Sequence, residues 1–140
     1  MIKKVQATVM DIMFLHKFLS EEIEENQNSE PIYPAIVEML MIKNYKLILP
    51  VVKEIDNEKN KLLEKYGIQQ PDGSYALDLN DIEKSQAYAK ENSKIMSGTR
   101  TIKIRPIKLS YFENTPGIGF SSMRKLDFLV IWNKGHIEQF

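Results

Sequence analysis

Apolar residues recur at helical spacing along one unbroken segment of this chain, residues 34–66. Within the segment, positions separated alternately by four and three residues trace the seam of a coiled coil: Val37, Met41, Asn44, Ile48, Val51, Ile55, Glu58 and Leu62. A helix of this length would span on the order of 50 Å, which exceeds the diameter of a small domain. The pattern therefore predicts a long helix whose seam packs on a neighbouring helix or on a partner.

Two readings of this seam remain open. If it packs inside the chain, it belongs to the core; if it packs on a second copy, the chain forms a homo-oligomer. In the second reading the interface consists of the first six seam positions, which are Val37, Met41, Asn44, Ile48, Val51 and Ile55.

Pro50 lies inside the predicted helix, and we expect a kink there rather than a break because the apolar period continues on both sides.

A second amphipathic helix is predicted over residues 9–25, where Ile12, Leu15, Leu19 and Ile23 recur three and four residues apart. Phe14 and Phe18 lie four residues apart on an adjoining stripe. Residues 26–34 contain Asn, Ser and two prolines, which favour a loop. Two long helices joined by a short loop indicate an antiparallel helical hairpin.

The remaining elements are shorter. Alternating apolar and polar positions predict strands over residues 2–7, 74–77 and 99–112, the last with reversed parity after Pro106. A third helix is predicted over residues 81–96, with Asn80 as its cap. Residues 121–132 favour a closing helix, although residues 128–132 (FLVIW) are equally compatible with a buried strand. The predicted fold is α+β and mainly helical, a helical hairpin with a small antiparallel sheet, in one domain of residues 1–140.

Composition excludes several kinds of chemistry. The chain has no cysteine, which rules out thiol catalysis and zinc sites with sulfur ligands and fits a reducing compartment. Its two histidines, His16 and His136, are not spaced as metal ligands. The sequence therefore predicts no catalytic residue, no metal and no cofactor, and it contains no apolar run long enough to span a membrane.

Charge is balanced overall, with 19 basic and 19 acidic residues, but it is unevenly distributed. Residues 99–140 contain seven basic and three acidic residues, a local excess of +4. The candidate residues for binding an anion or a partner are Arg100, Lys103, Arg105, Lys108 and Arg124. Alternation would place Lys103 and Arg105 on one exposed face, which suits phosphate contact as well as simple solvation.

Three segments also carry a resemblance: residues 58–67 (EKNKLLEKYG), the turn at residues 71–73 (PDG) and residues 102–109 (IKIRPIKL). In this order, they are similar to a family of small, uncharacterised proteins, a domain of unknown function found in phages of low-GC Gram-positive bacteria. The family has no assigned catalytic residues, so the resemblance implies a phage origin and a non-catalytic accessory role.

The expected function is therefore binding of a host or phage protein in the host cytoplasm, for example to inhibit a host or defence factor. One alternative is a structural or assembly component of the virion. Another is a nucleotide or nucleic-acid binder that uses the basic strand at residues 100–108.

Overall fold

The computed structural model describes residues 1–112 and 129–131, and the helices of that part dominate the fold. They are α1 (Val9–Asn28), α2 (Ala35–Tyr66) and α3 (Ile82–Ser97). The hydroxyl of Thr8 caps α1 by accepting a hydrogen bond from the Asp11 N–H at 3.1 Å. The mainly helical α+β class predicted from the sequence is confirmed.

Helices α1 and α2 form the predicted antiparallel hairpin and enclose the largest part of the core. Their connection is held by the buried Asn26, whose Oδ1 accepts from the N–H groups of Ile32 at 2.8 Å and Tyr33 at 3.0 Å. Its Nδ2 donates to Glu38 Oε2 at 2.8 Å. One amide thus ties the end of α1 to the loop and to the first turn of α2.

Helix α2 runs through Pro50 without a break. Pro50 lies on the exposed side, where water can reach the Lys46 carbonyl that the proline ring leaves without its helical donor. The helix ends at Gly67, where an added Cβ would lie 2.6 Å from the Leu63 carbonyl oxygen and 3.0 Å from that of Ala76. Glycine is required there because a Cβ would clash with the helix's own Leu63 carbonyl and would also crowd the backbone of Ala76.

Short strands complete the described fold. β1 (Lys3–Thr8) pairs antiparallel with β4 (Thr99–Ile104), and we call this pair the ribbon. A small hairpin joins β2 (Ile68–Gln69) to β3 (Tyr75–Ala76) through a turn in which Gly73 adopts a φ of 88°. β5 (Ile107–Lys108) pairs parallel with β6 (Val130–Ile131), and a 3₁₀ turn (Leu109–Phe112) follows β5.

Two local predictions are corrected. The cap of α3 is Asp81 rather than Asn80, because the Asp81 carboxylate accepts from the Lys84 N–H at 3.1 Å. The prediction of a helix up to Trp132 is wrong at Val130 and Ile131, because these two residues form β6. The alternative prediction, a strand within residues 128–132, is correct for them. Leu129 forms a turn before β6, and the remaining residues of the predicted helix, 121–128 and 132, lie outside the described part of the chain.

The predicted strand over residues 99–112 is shorter than expected. It ends at Ile104, and the chain resumes extended pairing only at Ile107, beyond Pro106. Since proline has no N–H to donate to a ladder, the break falls where the parity of the sequence changes.

Candidate binding surfaces

The seam of α2 faces the inside of this chain. Five of its six candidate interface residues are fully buried: Val37, Met41, Asn44, Ile48 and Ile55. The sixth, Val51, is half-buried and packs against the same core. The contacts of these side chains therefore lie within the chain, and other residues form the surface that a partner can reach.

Asn44, the polar interruption of the seam, links α2 to the end of β4. Its Oδ1 accepts from the Arg105 N–H at 2.7 Å, and its Nδ2 donates to the Arg105 carbonyl at 2.9 Å and to the Leu40 carbonyl at 2.8 Å. The amide thereby pairs with Arg105 as a neighbouring strand would, at the point where Pro106 ends the ladder. The burial of Asn44 is thus matched by a full set of hydrogen bonds.

The basic candidates do not form one cluster. Arg100 lies on the inner face of the ribbon, in line with the buried Ile102 and Ile104, and its guanidinium contacts Glu58 Oε2 at 2.6 Å. Lys103 is exposed on the opposite, outer face. Arg105 is half-buried with its backbone held by Asn44, Lys108 is exposed in β5, and Arg124 lies outside the described residues.

Strand register instead brings Lys103 together with a lysine that sequence reasoning missed. Lys4 lies directly opposite Lys103 in the ribbon, and the same outer face carries Gln6 opposite Thr101. Lys4 belongs to β1 and Lys103 to β4, far apart in the sequence, so no local pattern could have paired them. Within residues 1–112, neither ammonium has a carboxylate within 4.0 Å.

A second exposed surface lies on α1. Met10 is 49% exposed and Phe14 is 66% exposed, and they are one helical turn apart on the side facing away from the core. Further along this side Lys17 and Glu21 form an exposed ion pair, with Lys17 Nζ 4.0 Å from Glu21 Oε1. The exposed Glu24 and Glu25 follow. We call these six residues the outer face of α1. Phe14 and Phe18, which the sequence pattern places on one stripe, therefore differ in exposure, since Phe18 is buried.

Glu22 is also on α1, but it is used inside the fold. It accepts a hydrogen bond at 3.1 Å from the hydroxyl of Tyr33, a residue that is only 5% exposed. Burial, reinforced by the negative charge of Glu22, raises the pKa of the Tyr33 phenol well above its usual value. The ring of Tyr33 meets that of Phe112 edge to face. This arrangement is structural, because the phenol is enclosed.

Neither a metal cluster nor a membrane span is found in the described part. No group of three or more His, Asp or Glu side chains there could hold a metal ion. His16 is half-buried and stacks on Tyr45 with ring centroids 5.0 Å apart, while His136 lies outside the described residues. None of the helices there combines the length and apolarity needed to cross a bilayer.

Comparison with known proteins adds no relative: no family model, no curated protein and no solved structure matches this chain. The resemblance to the phage family therefore stays a prediction, and function is argued from the two exposed surfaces.

Proposed function

We propose that this chain is a non-enzymatic phage accessory protein that binds a protein partner through the outer face of α1. The observation that carries the proposal is the exposure of Phe14, a large aromatic side chain in the apolar, amino-terminal part of that face. Burying a phenylalanine contributes roughly 1.5–3 kcal/mol, so leaving it in water forgoes a stabilisation that a partner can supply. Phenylalanine and methionine are also enriched at protein interfaces.

The charges around Phe14 define the chemistry of the partner. Glu21, Glu24 and Glu25 extend the face beyond the apolar pair, and only Lys17 offsets them. A complementary surface would present an apolar pocket followed by basic residues. The acidic end would orient the partner and raise its association rate, while Met10 and Phe14 would supply most of the affinity.

Another apolar pair is exposed where α3 begins. Leu79 is 81% exposed and Ile82 is 66% exposed. We favour the face of α1 because Met10 and Phe14 project from one regular helix with charged residues beside them, whereas Leu79 precedes the cap of α3. Leucine is also under-represented among residues that dominate binding energy. Ile82 then becomes a matched control, since its exposed fraction equals that of Phe14.

The proposed setting is the cytoplasm of a low-GC Gram-positive bacterium, where the partner would be a host or defence factor that binding inhibits. To test it, the tagged chain is expressed in such a bacterium as wild type, Phe14→Ser or Ile82→Ser, and the captured proteins are quantified by mass spectrometry. A second copy of the chain carrying a different tag reports self-association in the same experiment. Thermal melting checks that both variants remain folded.

We expect one protein to be enriched by the wild type and by Ile82→Ser and to be lost with Phe14→Ser. The loss of affinity should be about 10- to 100-fold, since removing an aromatic anchor removes about 1.4–2.8 kcal/mol. Retention of every captured protein by Phe14→Ser would contradict the proposal. So would loss of the same protein with Ile82→Ser, which would transfer the site to the start of α3.

A further inference from the structure

The ribbon has an outer face whose charges are all positive. Lys4 and Lys103 lie opposite each other at one end, followed by the pairs Gln6–Thr101 and Thr8–Thr99. No acidic residue belongs to these three pairs. The inner face differs, because the charge of Arg100 is matched there by Glu58.

Like charges directly opposite each other across two strands repel, since their Cβ atoms are only about 4.5–5.5 Å apart. A nearby carboxylate would relieve this repulsion, but within residues 1–112 none lies within salt-bridge distance of Lys4 or Lys103. An anion bound between the two ammonium groups would remove the repulsion and gain attraction from both.

The neighbouring side chains fit an extended anion better than an isolated one. Gln6 and the three threonines supply neutral hydrogen-bond donors beside the lysines, and the face from Lys4 to Thr8 is about 13 Å long. Lysine, glutamine and threonine are the side-chain types that contact phosphate oxygens in nucleic-acid complexes. Arg105, two residues after Lys103, has its backbone hydrogen-bonded to Asn44, which attaches this end of the ribbon to α2.

We propose that the outer face of the ribbon binds the phosphate backbone of nucleic acid without reading its sequence. The outer-face residues of the three pairs include no aromatic side chain that could stack on a base, so the contacts are made to phosphates alone. This site is separate from the outer face of α1, and it differs from the single strand at residues 100–108 because half of it comes from β1.

The test measures binding of a fluorescein-labelled single-stranded oligothymidylate by fluorescence anisotropy over a range of salt concentrations. The variants are Lys4→Gln/Lys103→Gln and a control with the same change of charge, Lys46→Gln/Lys53→Gln, on the exposed side of α2. Thermal melting shows whether each variant is folded, and inorganic tripolyphosphate serves as a competitor that has phosphates but no nucleotide chain.

We expect the wild type and the control to bind with the same salt dependence. The ribbon variant should bind more weakly, and its plot of log affinity against log salt should be less steep by about 1.4, because each single-strand phosphate that a lysine neutralises adds about 0.7 to the slope. Its melting temperature should not fall, because a repulsive pair has been removed.

Absence of oligonucleotide binding by the wild type at low salt would overturn the proposal. The same holds if both double variants lose affinity equally, since the effect would then be one of net charge. Binding of tripolyphosphate without binding of the oligonucleotide would exclude a nucleic-acid backbone as the ligand. None of these results bears on Phe14, so the protein-binding role is tested separately.

Discussion

At the scale of single residues, Asn44 shows how a polar side chain can be required inside an apolar seam. The sequence marks it as an interruption at a seam position, but its partner is the backbone of Arg105, 61 residues away. Only the folded chain brings the two together. The buried Asn26 is a similar case, because its donors lie in a loop that has no periodic pattern and its acceptor, Glu38, lies in the next helix.

Replacing Asn44 by alanine should destabilise the chain strongly. Three hydrogen bonds disappear, and the N–H and C=O of Arg105 lose their partner in a buried setting, where each unsatisfied group costs about 1–3 kcal/mol. We expect a loss of about 2–4 kcal/mol in the free energy of unfolding measured in urea. Asn57→Ala, at an exposed site on the same helix, should change it by no more than about 0.5 kcal/mol. Equal urea midpoints for the two variants would refute the role given to Asn44.

Tyr33 leads to a prediction about alkaline pH. Because its pKa is raised in the folded chain, the unfolded phenol releases its proton first, at its ordinary pKa near 10. The stabilisation is therefore complete below pH 10 and is lost as pH rises towards the folded pKa. Near neutral pH, Tyr33→Phe should lower the free energy of unfolding by about 0.5–1.5 kcal/mol through loss of the hydrogen bond to Glu22.

Above pH 10 this difference between wild type and Tyr33→Phe should shrink and then change sign. Urea unfolding of both proteins between pH 7 and pH 11 measures it directly. A difference that stays constant over the whole range would mean that the phenol is not held in its neutral form by the fold.

At the scale of elements, the long helix was the most predictable feature. Its apolar positions repeat over many turns, and its bounds follow from Pro34 and Gly67, so both its existence and its ends were expected. Strands β5 and β6 were predicted only in part, because residues 107–108 fell within the longer strand predicted over 99–112 and a strand at 128–132 was an alternative to a helix. Their parallel pairing was not expected, since it depends on a contact between the Ile107 N–H and the Leu129 carbonyl that no local pattern reveals. The same contact lies beside the pairs Ile107–Val130 and Lys108–Ile131, in which Val130 and Ile131 are extended.

Pro50 should limit the stability of α2. Proline in a helix interior is about 3 kcal/mol less favourable than alanine, and Pro50 lies on the exposed side, where its replacement would leave no cavity in the core. We expect Pro50→Ala to raise the free energy of unfolding by about 1–3 kcal/mol, with a melting temperature several degrees higher. Lys53→Ala, one turn further along the exposed side, is the control and should change little. A Pro50→Ala variant that melts at or below the wild-type temperature would show that the proline is needed for the packing of α2.

At the scale of the whole molecule, the sequence predicts what is buried better than what is exposed. The seam residues of α2 were recognised as a packing surface, and their partners proved to be the rest of this chain. The two proposed binding surfaces were harder to find. One depends on the register between β1 and β4, and the other depends on which of two phenylalanines on α1, Phe14 or Phe18, turns away from the core.

The central claim is that a protein partner sits on Phe14, and site-specific photo-crosslinking tests it most directly. A photoreactive phenylalanine analogue replaces Phe14 in one protein and Ile82, which is equally exposed, in another. Each is expressed in a low-GC Gram-positive bacterium and irradiated. We predict a discrete adduct with one protein from position 14 and no such adduct from position 82. If position 14 gives no adduct beyond those formed at position 82, the outer face of α1 is not a binding surface and the claim is wrong.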